Sequence, residues 1–343
     1  VLCEDAPTDG TPYVRIADCR LGLAYASREL FGNPAKRMTL IGITGTSGKT
    51  TSSYLIKHML EAKLGAKVGL IGTNGNMIGD EFIHTERTTP ESFELQQLFR
   101  EMADAGCTHV VMEVSSHSLV LNRVAGIRFA VGAFTNLTQD HLDFHHTMQA
   151  YAEAKAKLFG VCGVGCINAD TRDDDEVGII RGNAAHYRAL SPVTIAAVMI
   201  KDAKCDILRY SADSKDAELT AKNIKFMPSA VEFCAQFKGE SADVRLAIPG
   251  KFSVYNALNT IAIGLALGIS LADCAEAMSS AHGVKGRMEV VPTDGDYTVI
   301  IDYAHTPDAL ENALKALKAV TNERVVVLFG CGGDRDRTKR PIM

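Results

Sequence analysis

One short stretch, Gly45-Thr46-Ser47-Gly48-Lys49-Thr50-Thr51, limits what this chain can fold into more than any other. Residues 38–43 before it form an apolar run that reads as a buried strand. After it, apolar residues at 55, 56, 59 and 60 recur with helical spacing. A strand, a glycine-rich turn, Lys-Thr and a helix, in that order, make a cradle for polyphosphate. Backbone N–H groups converge on the anion at a helix N-terminus, Lys49 adds a point charge, and a Thr50 or Thr51 hydroxyl reaches Mg²⁺. The strict pattern places glycine five positions before Gly48, where this chain has Ile43. The loop is therefore a variant, with Gly42 and Gly45 on either side of the expected glycine. The plainer alternative is a β–α turn that contains Gly-Lys-Thr by chance.

Composition narrows the class of protein. A chain of 343 residues implies two or three domains with ample surface to bury. No apolar run approaches the roughly 18–20 residues of a membrane span, and the first residues lack a basic-then-apolar leader. The nine cysteines show no paired spacing of a disulfide framework, which predicts reduced thiols in a cytoplasmic protein. Cys162 and Cys166, among glycines, are poor metal ligands by spacing alone. A net charge of −5 argues against a nucleic-acid partner, so an anionic substrate must meet local cations.

Alternating strand and helix patterns predict a mostly parallel sheet. Strands are expected at 68–71, 109–112 and 130–134, and helices at 92–105, with apolar positions 95, 98, 99 and 102, and at 148–159. Residues 185–246 turn irregular and β-rich, which predicts an inserted or antiparallel section. Helices are expected again at 253–267 and 271–281. The turn Lys285-Gly286-Arg287 marks a domain boundary, followed by a strand at 297–301, a helix at 307–320 and a strand at 324–329. Residues 1–37 are too few for a core of their own, and the chain reads as a fragment of a longer protein. The expected division is a remnant domain at 1–37, a central nucleotide-binding domain at 38–285 and the start of a second α/β unit at 286–343.

Glu113 and His141 each fall just past a predicted strand, the edge where ligands of open α/β sheets collect. A carboxylate and an imidazole near a phosphate loop read as a Mg²⁺ site bridging nucleotide and substrate, with waters completing the shell. The alternatives are a capping carboxylate for Glu113 and a solvated turn for the stretch Asp140-His141-Leu142-Asp143.

Several motifs together resemble one family. Gly45 to Thr51, Glu86-Arg87-Thr88-Thr89-Pro90-Glu91, Glu113-Val114-Ser115-Ser116-His117 and Asp140-His141-Leu142-Asp143 occur in that order. Gly286-Arg287-Met288-Glu289, Asp302-Tyr303-Ala304-His305-Thr306-Pro307 and Gly330-Cys331-Gly332-Gly333-Asp334-Arg335-Asp336 continue the series. The chain resembles the Mur ligases of peptidoglycan synthesis from about residue 15 onward. The Thr-Thr-Pro-Glu and Asp-Tyr-Ala-His-Thr-Pro elements are most similar to the members that add the third residue of the stem peptide. Ser47 departs from the usual Asn of the family.

The resemblance implies an α/β fold, with a central P-loop-type, mostly parallel sheet flanked by helices and part of a C-terminal Rossmann-like domain. It implies an ATP- and Mg²⁺-dependent ligase that phosphorylates the D-Glu γ-carboxylate of UDP-MurNAc-L-Ala-D-Glu. The amine of meso-diaminopimelate or L-lysine then attacks the acyl phosphate. By the same resemblance Lys49 holds the phosphates, Thr50 and Glu113 serve one Mg²⁺, and His141 serves a second. Lys155 matches a lysine carbamylated in the family (N6-carboxylysine), which makes it an anion able to help hold Mg²⁺. Thr88, Thr89, Ser115 and Arg123 match positions that hold the UDP-MurNAc-dipeptide. Asn256 and Asn259 match a pair near the adenine, and Arg287 and Asp302 match groups at the phosphates and ribose. The family also implies small-molecule partners only, no nucleic acid, no membrane insertion and a monomer. A sibling Mur ligase, a folylpolyglutamate synthetase-like ligase and a non-catalytic nucleotide-binding protein are the other readings of the motifs.

Overall fold

The computed structural model of the protein describes residues 1–170, 192–213, 216–227, 229–281, 283–291, 293–319, 321, 323–332, 337 and 339–343. The elements run β1 (Leu2–Cys3), β2 (Val14–Arg15), α1 (Cys19–Leu30), β3 (Thr39–Thr44), α2 (Lys49–Leu64), β4 (Val68–Gly72), β5 (Gly75–Ile78) and β6 (Glu81–Ile83). There follow α3 (Ser92–Asp104), β7 (His109–Glu113), α4 (Ser116–Val120), β8 (Phe129–Phe134), α5 (Leu142–His145), α6 (Met148–Ala156), β9 (Cys162–Asn168) and α7 (Pro192–Lys201). The strands β10 (Asp206–Ser211), β11 (Leu219–Phe226), β12 (Val231–Phe237) and β13 (Glu240–Leu246) precede α8 (Lys251–Ala266) and α9 (Leu271–Ser280). Last come β14 (Glu289–Val291), β15 (Val299–Ile301) and α10 (Pro307–Lys318).

An 11-stranded sheet, ordered β13-β12-β11-β10-β9-β8-β3-β7-β4-β5-β6, organises the chain. Its seven middle strands, β11 to β4, pair in parallel, and antiparallel strands flank them on both sides. The parallel strands read Thr-Leu-Ile-Gly-Ile-Thr, His-Val-Val-Met-Glu and Phe-Ala-Val-Gly-Ala-Phe because helices cover both of their faces. On one face α2, α8 and α9 bury Leu55, Met59, Leu258, Ile261 and Met278. On the other, α3 and α6 bury Leu95, Phe99, Met102, Tyr151 and Ala152. α1 has no core of its own and packs on α3, where Phe31 and Phe93 meet edge to face at 5.2 Å.

Three elements differ from the sequence pattern. The helix after the phosphate loop starts at Lys49, ahead of the apolar periodicity that begins at Leu55, because the loop itself supplies its first turn. Within 185–246, residues 185–191 lie outside the described residues, α7 is helical, and the antiparallel strands form the edge β11-β12-β13. The strand expected at 324–329 is not formed. Leu328 is 99% exposed, and among the described residues no strand lies beside this segment to take its backbone hydrogen bonds. Of the second α/β unit the described residues therefore show the antiparallel pair β14-β15 and the amphipathic α10.

Candidate functional site

Parallel pairing points the carboxyl ends of β3, β7, β8, β9 and β10 at one crevice, and the connections that leave those ends carry the polar motifs. The crevice has a volume of about 730 Å³ and is closed on its far side by residues from 287–313 and Lys339.

The phosphate loop joins β3 to α2 across the base of this cleft. Gly45 sits at φ +146° and a Cβ there would lie 1.9 Å from Thr135 Oγ1, so only glycine fits. Gly48, at φ +83°, packs against Asn256 Oδ1, which a Cβ would approach to 2.7 Å. Between them Ser47 is held through its main chain. Its N–H donates to Asn136 Oδ1 at 2.9 Å, and its carbonyl accepts from Thr135 Oγ1 at 2.7 Å and Asn136 Nδ2 at 3.2 Å. Main-chain anchoring explains why Ser can stand at this position without loss of the loop. Lys49 Nζ donates to the carbonyls of Gly45 and Thr46, both at 2.9 Å. Burial pushes its pKa down, opposed by the nearby Glu113 carboxylate. Thr46 Oγ1 ties the loop to Thr138 and lies 3.3 Å from the Tyr151 hydroxyl. Thr50 and Thr51 are buried in the first turn of α2, and Thr50 Oγ1 accepts from Arg287 Nη2 at 3.0 Å.

Glu113 ends β7 and is only 1% exposed, yet its carboxylate borders the cleft. Thr73 fixes it with its N–H at 3.1 Å and its hydroxyl at 3.0 Å. His141 lies across the cleft in a left-handed backbone conformation, φ +54°, that aims its ring beside Asp140 at 3.4 Å. Burial depresses the imidazole to about 4 against the pull of Asp140, so the ring is neutral near pH 7 and keeps a lone pair. Among the described residues no three His, Cys, Asp or Glu side chains converge as a metal cage. Glu113 and His141 both line the cleft, and their oxygen and nitrogen donors are of kinds that bind a divalent cation.

Lys155 is the most buried lysine among the described residues. It is 1% exposed, its ammonium position lies 4.2 Å over the Tyr151 ring, and it sits behind the cleft lining. Burial, reinforced by the Lys49 charge, holds its pKa well below the ordinary lysine value. The substrate-side residues do come together. Thr88 Oγ1 meets Thr73 Oγ1 at 3.0 Å, Thr89 Oγ1 accepts from the Ser115 N–H at 3.1 Å, and Arg123 Nη1 donates to the Thr89 carbonyl at 3.1 Å. On the nucleotide side Asn256 lines the cleft beside Gly48, and Arg287 lies 4.6 Å over the Tyr303 ring. Asp302 takes the Met288 and Ala304 N–H groups at 2.8 Å each, which folds the chain after Arg287 back onto the site.

Asn259 does not join this group. Fully buried, it is absent from the cleft lining, and among the described residues neither of its amide atoms has a hydrogen-bond partner. α8 carries Asn256 to the loop, whereas Asn259 stays inside the core. Within the stretch 330–336, residues 333–336 lie outside the described residues. The sequence reading missed Asp140 as a node. It is buried and lies 3.4 Å from His141, 3.8 Å from His305 and 3.7 Å from Lys339. Thr135 and Asn136 were also missed, although they follow a predicted strand just as Glu113 does.

Comparison with known proteins now decides the family. Residues 43–264 match the model of the Mur ligase middle domain, and residues 286–343 match that of the Mur ligase glutamate ligase domain. The chain belongs to the Mur ligase family. It is 46% identical over 347 residues to UDP-N-acetylmuramoyl-L-alanyl-D-glutamate--2,6-diaminopimelate ligase 1 of Clostridium acetobutylicum, covering 100% of this chain and 67% of that protein. A ligase of the same name from Clostridium botulinum is 43% identical, with 100% and 68% covered. Across its curated relatives this Mur ligase spans about two thirds of their length. A solved structure of a UDP-N-acetylmuramoyl-L-alanyl-D-glutamate--2,6-diaminopimelate ligase superposes with a TM-score of 0.76 at 31% identity, covering 100% of this chain and 66% of that one. The folylpolyglutamate synthase of Mycobacterium tuberculosis, at 20% identity and a TM-score of 0.66 over 87% of this chain and 70% of its own, shares the fold alone. Among the described residues no helix is long and apolar enough to cross a membrane.

Proposed function

We propose that this Mur ligase joins a diamino acid to the D-Glu residue of UDP-MurNAc-L-Ala-D-Glu, at the expense of ATP, in peptidoglycan precursor synthesis. The names of its relatives favour 2,6-diaminopimelate over lysine as the amino acid added. The observation that carries the reading is one cleft with a phosphate loop at its base, Glu113 and His141 on its walls and an Arg-Thr-Ser cluster at one end. We divide the chain into an N-terminal segment 1–37, a central ATP-binding domain 38–285 and the opening of the glutamate ligase domain at 286–343. The enzyme works as a cytoplasmic monomer, where ATP and nucleotide-linked precursors are found.

The loop N–H groups and the positive end of α2 receive the β- and γ-phosphates, with Lys49 as their cation. Thr50 with Glu113, and His141 with a carbamylated Lys155, would hold Mg²⁺, which would supply charge neutralisation at the phosphates. Carbamylation requires a neutral amine, and burial of Lys155 lowers its pKa and so favours that form. Arg123, Thr88, Thr89 and Ser115 hold the acceptor so that its γ-carboxylate oxygen lies in line with the γ-phosphorus. That oxygen attacks, the bond to ADP breaks, and an acyl phosphate forms. The amine of the incoming amino acid then adds to the acyl carbon, loses a proton and expels inorganic phosphate. Arg287 over Tyr303, bonded to Thr50, links the second domain to the loop and excludes water from an intermediate that hydrolyses readily.

Phosphate release from ATP by the full-length protein tests the reading. Release should require Mg²⁺, UDP-MurNAc-L-Ala-D-Glu and 2,6-diaminopimelate together. Release supported by folate and glutamate, and not by the nucleotide dipeptide, overturns it.

A further inference from the structure

Three guanidinium groups from distant parts of the chain meet at Glu91. Arg123 Nη2 approaches Glu91 Oε1 at 2.7 Å, Arg87 Nη1 reaches the same oxygen at 2.7 Å, and Arg20 Nη1 lies 3.4 Å from Oε2. The nearby Glu94 carboxylate is turned away, since it accepts the Glu91 N–H at 3.2 Å. Arg87 and Arg123 both border the cleft, whereas Glu91 stands behind them. Arg123 is largely buried, with 14% of its side chain exposed, and Arg87 is half exposed.

A guanidinium on a flexible stem loses side-chain entropy when it binds an anion. A fixed carboxylate behind it takes that cost in folding and aims the remaining N–H groups at the ligand. Glu91 is fixed in this way, because it is the N-cap of α3 and opens a capping box with Glu94. Its carboxylate can satisfy only part of three guanidiniums, each with five donors, so donors remain free for a second anion on the cleft side.

We propose that Glu91 is a positioning residue for the acceptor end of the cleft, and that Arg87 is a second cation, beside Arg123, that contacts the anionic acceptor. This rests on the acceptor site proposed above. Arg87 adds a second guanidinium to that rim, beside Arg123 and with the Glu86 carboxylate also in the lining, which suits a substrate carrying several carboxylate and phosphate groups.

The test uses the full-length ligase with Glu91→Ser, Arg87→Gln and Arg123→Gln. Serine keeps an N-cap acceptor for α3 but is too short to reach any guanidinium, so the helix start and the arginine clamp are separated. We expect Glu91→Ser to keep its unfolding midpoint and its KM for ATP, and to raise the KM for the UDP-MurNAc-dipeptide about 5- to 30-fold. Arg87→Gln should raise the same KM, and adding it to Glu91→Ser should give less than the product of the single effects. If Arg123→Gln raises the acceptor KM while Glu91→Ser and Arg87→Gln do not, the proposal is overturned and the acceptor site stands. If Arg123→Gln leaves the acceptor KM unchanged, the acceptor site itself is misplaced. Equal rises in both KM values for Glu91→Ser would assign it a general structural role and also overturn the proposal.

Discussion

Lys155→Met is the perturbation that separates fold from chemistry most sharply. A lysine 1% exposed, with an aromatic ring as its near neighbour and Lys49 as a like charge, destabilises the fold whenever it is protonated. Methionine has nearly the same length and no charge. In buffer stripped of carbon dioxide the variant should be more stable than the wild type by about 1–3 kcal/mol, while ligase turnover falls by roughly 10²–10³-fold or more. The sign with pH follows from linkage. The folded pKa lies below the unfolded value of 10.5, so between the two the unfolded chain binds a proton that the native chain does not. Wild-type stability should therefore rise as pH increases toward 10.5, by up to about 1.4 kcal/mol per unit, and Lys155→Met should remove that slope. Bicarbonate should stabilise the wild type and leave the variant unchanged, because carbon dioxide bonds to the neutral amine with release of a proton. Urea midpoints at several pH values, with and without bicarbonate, measure all three effects. A variant less stable than the wild type, with no pH slope to lose, would refute the claim that burial lowers the pKa of this amine.

Gly45→Ala should cost about 2–4 kcal/mol in urea unfolding and abolish measurable ATP binding by calorimetry, since its Cβ would meet Thr135 Oγ1 at 1.9 Å in a backbone region reserved for glycine. Asn259→Leu should leave the KM for ATP unchanged and stabilise the protein by about 1 kcal/mol, because both amide atoms are buried without partners; a large rise in that KM would return Asn259 to the nucleotide site. His145, buried against Ser116 Oγ at 2.8 Å, is held down to about 3 by burial first. Below its unfolded value of 6.5 the denatured chain gains a proton that the native chain refuses, so stability should fall by up to about 1.4 kcal/mol per pH unit between pH 6.5 and 3. His145→Gln should flatten that part of the urea-midpoint profile.

Much of this molecule was legible because the responsible forces are local. The apolar stripe 95, 98, 99 and 102 predicts α3 since those positions share one helix face, and all four are buried. The loop from Gly45 to Thr51 was legible because its glycines answer to backbone geometry. The strand expected at 324–329 failed for the opposite reason, since a β-prone run becomes a strand only beside a partner. Asn256 and Asn259 illustrate a finer limit. Two residues three apart stand about 60° apart around a helix, and spacing alone cannot say which of them meets a ligand. Lys155 could not be read as buried from α6 alone, because its burial depends on the packing of α6 against α4 and α7. The Glu91 cluster was equally hidden, as it joins residues 20, 87, 91 and 123 through tertiary structure.

A chain of net charge −5 must still hold two polyanions, and the sheet resolves that conflict by sorting charge within one crevice. Lys49 shows how. Two of the three donors of its ammonium are taken by the Gly45 and Thr46 carbonyls, which fixes the stem along the loop and leaves one donor to turn outward. Burial lowers its pKa more than Glu113 raises it, so the free lysine sits below its ordinary value. A phosphate at the loop would add to the influence of Glu113 and favour the charged amine. Nucleotide binding should therefore be accompanied by proton uptake at pH values where the free lysine is partly neutral. Calorimetry of ATP binding in buffers of different ionisation enthalpy reads that uptake directly, and Lys49→Met should abolish it. Uptake that survives in Lys49→Met would assign the proton to another group and remove the argument for a tuned loop lysine.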